Sequence, residues 1–299
     1  MLHNFKELVE KAKTLGKVTI SVAVAQDEEV LVAIKAAEDA GLVRAILVGD
    51  AEAIKPLVAK VGLSAETQII HEMDIDKAAL EAVKKVSSGE AQIYMKGLLN
   101  SSNFLRAGLN AEYGLRSGKI LSHFVALEIP GEKKLVYKTD GGMNIAPNLE
   151  EKKGILINAI EGLKNMGIEN PNVAVLAANE QVNPKMQATV DAKGLVDLAA
   201  AGELPGCVIE GPIAMDVAAS AEAAKHKGIP SKIAGDVDIY LVPTIEAGNI
   251  FGKIMVHFVK AKNAGVILGA THPMVMVSRS DTPESKFNSI ALACVALKR

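Results

Sequence analysis

Short apolar runs rich in Val and Ile alternate with helical patterns along most of this chain. Residues 17–25 predict a strand, and residues 27–40 predict a helix that begins at Asp27 and ends at Gly41. The next strand, 45–48, is again followed by a helical pattern, 51–61. Such alternation is typical of βαβ units, so it predicts a mostly parallel sheet with helices on both faces.

The alternation is interrupted once, near the middle of the chain. Two apolar runs, 120–129 and 134–138, flank the turn-forming residues Pro130-Gly131-Glu132 and predict an antiparallel hairpin. A polar, glycine-containing loop follows at 140–148, after which the α/β pattern resumes. With 299 residues the chain is long enough for about two domains. We therefore expect two α/β/α domains with a boundary near residue 140.

The composition argues against several classes of partner. Aromatic residues are only 3% of the chain, Trp is absent and the formal net charge is −2, so neither base stacking nor a basic surface indicates nucleic-acid binding. No apolar run approaches the roughly 18 residues of a membrane span, and the first residues lack the apolar core of a signal peptide. We expect a cytoplasmic protein without a membrane partner.

Polar and glycine residues follow most of the predicted strands. In parallel α/β folds ligands bind beyond the carboxyl ends of the strands, where these residues would lie together. The predicted strand ends are Lys96-Gly97, Asp140-Gly141-Gly142, Asn179-Glu180, Glu210-Gly211-Pro212, Glu246 with Gly248-Asn249, and Ser278-Arg279.

No nucleotide or metal motif accompanies these strand ends. The dinucleotide pattern G-x-G-x-x-G does not follow the first strand, and the phosphate-loop pattern G-x-x-x-x-G-K-[ST] does not occur. The six His residues lack metal-ligand spacing, and the two cysteines, Cys207 and Cys294, lie far apart in the sequence. The sequence therefore predicts neither a bound metal nor a permanently bound cofactor.

The stretch 265–297 carries the strongest functional signal. An apolar run, 274–277, ends at Ser278-Arg279, and the residues 281–284 that follow predict a helix start with Thr282 as N-cap. A helix N-terminus beside a strand end favours anions. Arg279, and more weakly Arg106, are our phosphate candidates, because a guanidinium binds phosphate through two hydrogen bonds. The plainer alternative is a structural salt bridge from Arg279 to a nearby carboxylate.

Three segments together resemble one enzyme family. They are 210–216 (Glu210-Gly211-Pro212 through Met215-Asp216), 243–254 (PTIEAGNIFGKI) and 269–279, which ends in Ser278-Arg279. In this order they resemble the phosphate acyltransferases, which comprise phosphate acetyltransferases and phosphate butyryltransferases. Residues 278–293, together with 95–97 and 140–144, look more like the butyryltransferase branch.

The resemblance implies a fold, an assembly and a reaction. The fold would be like that of isocitrate and isopropylmalate dehydrogenases, with one domain of residues 1–140 plus 284–299, the other of 141–283, and the active-site cleft between them. The assembly would be a homodimer or larger homo-oligomer. The reaction would transfer a short acyl group, butyryl by branch, reversibly between CoA and inorganic phosphate through a ternary complex. CoA would be a substrate and an acyl kinase a metabolic neighbour.

The resemblance also implies roles for individual residues. Ser278 would orient the CoA thiol or the reacting carbonyl, and Arg279 would bind phosphate or stabilise the oxyanion. An ungapped alignment puts Ser285 where the acetyl branch has its proposed base, so Asp281 and Glu284 are alternative candidates for that role. The substrate-binding candidates are Arg106, Lys96, Gly97, Asn144, Gly211, Pro212, Asn249, Thr271 and Ser285.

Three other functions remain open at this point. The first is a phosphate acetyltransferase acting on acetyl-CoA. The second is an NAD- and metal-dependent hydroxy-acid dehydrogenase of similar fold. The third is a non-catalytic protein that binds CoA or a phosphorylated metabolite.

Overall fold

A computed structural model describes residues 2–278 and 281–298 of the chain. The helices and strands follow one another as α1 (Phe5–Thr14), β1 (Val18–Ala23), α2 (Glu28–Asp39), β2 (Val43–Gly49), α3 (Ala51–Val61), β3 (Gln68–His71), α4 (Ile75–Ser87), β4 (Ile93–Lys96), α5 (Ser101–Gly108), β5 (Ser122–Glu128), β6 (Val136–Thr139), α6 (Leu149–Asn165), β7 (Asn172–Leu176), α7 (Gln187–Ala200), β8 (Val208–Ile213), α8 (Met215–Ala219), α9 (Ala221–His226), β9 (Ile239–Leu241), α10 (Ile245–His257), β10 (Lys262–Leu268), β11 (Met274–Val275) and α11 (Pro283–Ala296).

The chain divides into two compact units. The terminal unit consists of Leu2–Lys119 together with Asn263–Arg299, and the middle unit consists of Ile120–Lys262. Each is an α/β unit, in keeping with the predicted fold class. The limits expected from the sequence, at residues 140 and 283, fall later along the chain than these limits. The hairpin β5–β6 therefore belongs to the middle unit, and the approach to α11 belongs to the terminal unit.

The terminal unit holds a sheet with the strand order β3-β2-β1-β4-β11-β10. Its strands pair in parallel, except for the antiparallel contact between β10 and β11. Asp residues at the N-caps begin three of its helices, and each accepts a backbone N–H from the first turn, as at Asp27, Asp50 and Asp74. Helix α11 packs against α1 and α2 and is buried along most of its length. It is the core helix of this unit.

The middle unit holds a sheet with the order β5-β6-β9-β7-β8. The hairpin β5–β6 is antiparallel, as predicted, and the other pairs are parallel. Helix α6 begins with a capping box, in which Asn148 accepts the N–H of Glu151 and the Glu151 carboxylate accepts the N–H of Asn148. Phe124 and Tyr137 stack in its core with their ring centroids 5.2 Å apart.

Three predicted elements end differently in the structure. The helix expected over 215–227 is broken at Ser220, whose extended backbone and side-chain cap start a new helix. The helix expected over 246–263 ends at His257, and β10 begins at Lys262. The strand expected to end at Glu210 continues through Gly211 and Pro212 to Ile213.

Candidate active site

Two hydrogen bonds join Ser278 and Asp281 at the approach to α11. The Asp281 Oδ2 accepts the backbone N–H of Ser278 at 2.8 Å, and the N–H of Asp281 donates to the Ser278 carbonyl at 3.1 Å. Ser278 is exposed. Arg279, the principal phosphate candidate, lies outside the described residues. The turn holds the Ser278 backbone from both sides and leaves this residue at the surface.

The first turn of α11 uses its own backbone donors more fully than the sequence predicts. Pro283, at the first helical position, has no N–H, and the Thr282 side chain accepts the N–H of Ser285 at 3.2 Å. The N–H of Lys286 is already bonded to the Thr282 carbonyl. The N–H groups of Ser285 and Lys286 are therefore bonded within the chain, and Pro283 has none to offer.

Glu284 and Ser285 differ in what surrounds them. Glu284 is exposed in the first turn, where the helix dipole favours a carboxylate. Ser285 is 6% exposed, and its hydroxyl bonds to the Asn263 side chain at 3.1 Å. Of the two, only Glu284 lies at the surface of the turn.

One neighbour of this turn was missed by the sequence analysis. Lys286 is buried, its Nζ lies 2.7 Å from the Glu29 Oε2 in the first turn of α2, and it also donates to the Asp281 carbonyl. The sequence does contain a signal for a buried lysine. Lys286 is the single charged residue in the segment 285–297, whose other side chains are mostly small or apolar. A buried ammonium is costly unless oxygen atoms accept its hydrogen bonds, so a carboxylate partner for Lys286 is expected.

The end of β4 lies beside the approach to Ser278. Strand β4 pairs in parallel with β11, Met95 opposite Val275, so Lys96 and the residues after Val275 emerge at the same edge of the sheet. Lys96 is 5% exposed. A Cβ on Gly97 would meet the Val24 carbonyl oxygen at 2.3 Å, so only glycine allows this strand end to pack on β1. The position of Gly97 is explained by packing.

Arg106 and Thr271, also in the terminal unit, lie at its surface. The Arg106 guanidinium is 3.3 Å from the Asp76 carboxylate, and both side chains are largely exposed. Thr271 is exposed, its N–H donates to the Leu115 carbonyl, and its hydroxyl contacts the His272 Nδ1 at 3.1 Å. The exposed ion pair is the alternative to a phosphate-binding role for Arg106.

A second polar cluster lies in the middle unit, in the loop that follows β6. The buried Asp140 carboxylate accepts the N–H groups of Gly142, Met143 and Asn144 and the Asn144 amide at 2.6 Å. The Asn144 amide also donates to the Leu121 carbonyl. These bonds fix the loop and occupy the backbone N–H groups of residues 142–144. Asn249 is exposed on α10, beside Gly248, which packs on Gly141.

Two titratable residues beside this loop were also missed. Lys138 on β6 donates to the Gly248 carbonyl at 2.8 Å, and burial lowers the pKa of its ammonium to about 8. The His123 Nδ1 is buried without a hydrogen-bond partner among the described residues. Burial, and then the charge of Lys138, lowers the pKa of His123 to about 3, so its imidazole is neutral at pH 7.

The remaining predicted residues, Gly211 and Pro212, lie within β8. The prediction that they follow the end of this strand is therefore wrong. The peptide bond between them is cis. Within the described residues no group of three or more His, Cys, Asp or Glu side chains has the arrangement of a metal site. The structure thus joins Ser278 to Asp281 in the terminal unit, with Glu284 in the first turn of α11 that follows, and places Asn144 and Asn249 in the middle unit.

The family described as phosphate acetyl/butaryl transferase matches residues 54–294 of the chain. The chain belongs to this family. The phosphate butyryltransferase of Clostridium acetobutylicum is 43% identical over 296 residues, which cover 99% of this chain and 98% of that protein. The expected family and the expected class of acyltransferase are confirmed.

Solved structures agree with this assignment. The branched-chain phosphotransacylase from Enterococcus faecalis V583 matches with a TM-score of 0.83 at 34% identity, over 94% of this chain and 99% of that chain. A 4-hydroxythreonine-4-phosphate dehydrogenase from Burkholderia phymatum matches with a TM-score of 0.57 at 15% identity, over 94% of this chain and 99% of that chain. The second likeness shows the fold alone, and the predicted dehydrogenase-like fold is confirmed.

Proposed function

We propose that this protein is a phosphate butyryltransferase, which transfers a butyryl group reversibly between CoA and inorganic phosphate. The observation that carries the proposal is the near full-length likeness to a phosphate butyryltransferase. We place the reaction at Ser278 and Asp281, which are hydrogen-bonded to each other. Family membership favours this reaction over both the dehydrogenase and the non-catalytic alternatives.

The proposed chemistry needs fixed donors near a developing oxyanion and a positioned thiol. In a ternary complex without an acyl-enzyme, Ser278 orients the CoA thiol or the thioester carbonyl, and Arg279 holds phosphate or the oxyanion. Preorganised donors of this kind act mainly by positioning and charge stabilisation. No step requires a bound metal or a permanent cofactor.

We assign the general base to Glu284 rather than to Asp281. One oxygen of the Asp281 carboxylate already accepts the Ser278 N–H, which suits this residue to holding the turn. Glu284 is exposed in the first turn of α11. Glu284→Gln should therefore lower kcat by about 10²-fold or more, as loss of a general base does. Asp281→Asn should lower kcat by a smaller factor. The reverse pattern would move the role of base to Asp281.

The direct test follows thiol release from butyryl-CoA with and without inorganic phosphate. We expect release that depends on phosphate, and Ser278→Ala should lower kcat by about 10²–10³-fold, as loss of one transition-state donor typically does. Circular dichroism should show an unchanged fold, since Ser278 is exposed. Thr271→Ala, which removes another exposed hydroxyl of the same unit, tests whether Thr271 binds substrate. Wild-type protein that releases no thiol would contradict the proposed reaction.

Acyl-chain preference has its own measurement. Each methylene is worth about 10–200-fold in discrimination by an apolar pocket. We expect kcat/KM to be higher for butyryl-CoA than for acetyl-CoA, with propionyl-CoA between them. A higher value for acetyl-CoA would make the protein a phosphate acetyltransferase instead.

We also propose the setting in which the enzyme works. A homodimer or larger homo-oligomer is supported by three apolar side chains exposed along α10 and its C-cap, Ile250, Ile254 and Phe258. The acyl phosphate product would be consumed by an acyl kinase. No described helix is long and apolar enough to cross a bilayer, and we propose a cytoplasmic location.

A further inference from the structure

Lys286 is a buried ammonium inside the terminal unit. It sits in the first turns of α11 with its side chain 3% exposed, and Ser285, Asn288 and Ser289 beside it on the helix are also buried. A buried charge is costly unless oxygens surround it. Among the described residues Lys286 bonds to the Glu29 carboxylate at 2.7 Å and to the Asp281 carbonyl.

The two contacts differ in what they can do. Glu29 belongs to α2 and its side chain is 56% exposed, so it anchors the ammonium while remaining in contact with solvent. The Asp281 carbonyl belongs to the turn that leads into α11. A methionine of similar length could fill the space that Lys286 occupies, but it could not hold this carbonyl.

The turn passes this restraint on to Ser278. Asp281 accepts the Ser278 N–H through its carboxylate and donates its own N–H to the Ser278 carbonyl. Three hydrogen-bonded steps therefore connect α2 with Ser278, namely Glu29 to Lys286, Lys286 to Asp281, and Asp281 to Ser278.

We propose that Lys286 is a positioning residue for the acyl transfer, which fixes the backbone of Asp281 and through it the place of Ser278. The inference rests on the proposed function of Ser278. Lys286 does not touch substrate, so its replacement should lower kcat and leave KM nearly unchanged. A misplacement of about 1 Å at reacting groups can cost about 10²-fold in rate.

A second ion pair to helix α2 provides a control for the loss of a lysine. Glu28, next to Glu29 in α2, pairs with Lys60 at the same Nζ–Oε2 distance, 2.7 Å, but the two side chains are 62% and 47% exposed. Lys286→Met and Lys60→Met thus remove the same ammonium from neighbouring acids. Only the first removes a contact with the turn.

The experiment is a double-mutant cycle with the phosphate-dependent thiol-release assay. We expect Lys286→Met to lower kcat about 10²-fold with KM for CoA and phosphate within about threefold. Glu29→Gln should lower kcat to a smaller extent, and Lys60→Met should match wild type. In the Ser278→Ala background, Lys286→Met should cause no further loss, because its effect acts through Ser278. All rates are taken well below the measured Tm of each variant.

Three results would overturn the inference. A folded Lys286→Met protein with wild-type kcat is one, and an equal loss in the wild-type and Ser278→Ala backgrounds is another, because a general structural defect acts in both. A wild-type protein without phosphate-dependent release overturns the proposed function and this inference together. An active wild type with an unaffected Lys286→Met overturns the inference alone.

Discussion

Lys138 is a buried lysine whose ammonium donates to a backbone carbonyl and not to a carboxylate among the described contacts. Its ammonium bonds to a backbone carbonyl, that of Gly248, and burial lowers its pKa from 10.5 to about 8. The nearby Asp140 charge opposes this shift, and the Lys253 charge adds to it. Lys138 therefore keeps its charge near neutral pH at the expense of folding free energy.

This predicts a pH-dependent stability difference. Between pH 8 and the unfolded value near 10.5 the unfolded chain binds the proton more tightly, so the free energy of unfolding rises with pH in this window. Below it both states are protonated and the cost is constant. Relative to Lys138→Met, the wild type should gain about 2 kcal/mol between pH 7.5 and 10 in urea unfolding.

Lys133→Met is the control for that experiment, because Lys133 is exposed in the same hairpin. This variant shows how far the exchange of a lysine for methionine in this hairpin alone alters stability over the same pH range. A Lys138→Met curve parallel to wild type from pH 7.5 to 10 would mean that Lys138 keeps an ordinary pKa.

Residues with chemical roles were predictable from the sequence to different degrees. The N-caps Asp27 and Thr282 were predicted correctly, because capping depends on a few neighbours along the chain. Lys286 and Lys138 were not predicted. Their partners Glu29 and Gly248 lie more than 100 residues away in sequence, so no local pattern identifies these partners. The roles of Ser278 and Glu284 stay predictions.

Helix α10 approaches the loop after β6 unusually closely. A Cβ on Gly248 would lie 2.6 Å from the Gly141 Cα, and backbone cannot yield as a side chain can. Gly194 in α7 is a matched helical glycine whose Cβ would instead meet the flexible end of Leu149, at 2.9 Å. Alanine changes helix propensity at both positions but meets a neighbouring backbone only at Gly248. Comparing the two variants therefore isolates the cost of backbone crowding.

We expect Gly248→Ala to lower the free energy of unfolding by about 1–3 kcal/mol, as overpacking does. Gly194→Ala should be near neutral, because the alanine gain in helix propensity of up to about 1 kcal/mol offsets a small shift of Leu149. Urea unfolding of both variants measures this. Equal stability of the two would show that α10 moves away from Gly141 at little cost.

Element types followed from periodicity, whereas several element ends did not. The helix over 215–227 looked continuous because Ala dominates it, yet Ser220 starts a new helix by accepting the Ala223 N–H. The strand through Gly211 and Pro212 was cut short because both residues usually mark turns. In the helix a serine cap within the segment outweighed the alanine-rich pattern, and in the strand pairing with β7 outweighed the turn-forming residues.

At the scale of the molecule, the alternation of strands and helices was enough to predict parallel α/β units. Strand order was not predictable in this way. In the terminal unit β11, from the end of the chain, pairs with β4 from its first third. Such pairings depend on the stacking of helices on the sheet rather than on any local pattern.

The proposed oligomer gives a prediction at the same scale. Ile250, Ile254 and Phe258 recur every fourth residue and are 58%, 43% and 82% exposed. If a second copy of the chain covers them, Ile254→Glu with Phe258→Glu should give a smaller particle in size-exclusion chromatography with light scattering. Val182→Glu, at a solitary position with 49% exposure, should not. A wild-type monomer would contradict the proposal.

The burial of α11 bears on the order in which the protein is made. The terminal unit needs this helix as its core, yet α11 is synthesised after the middle unit, and Ile120–Lys262 is continuous in the chain. During translation the middle unit can fold before α11 is available to pack against α1 and α2. Until residue 296 leaves the ribosome, the apolar faces of α1 and α2 that α11 covers stay open to chaperones. A nascent chain that has left the ribosome up to a point between residues 262 and 283 should therefore carry a protease-resistant middle unit and a protease-sensitive N-terminal segment.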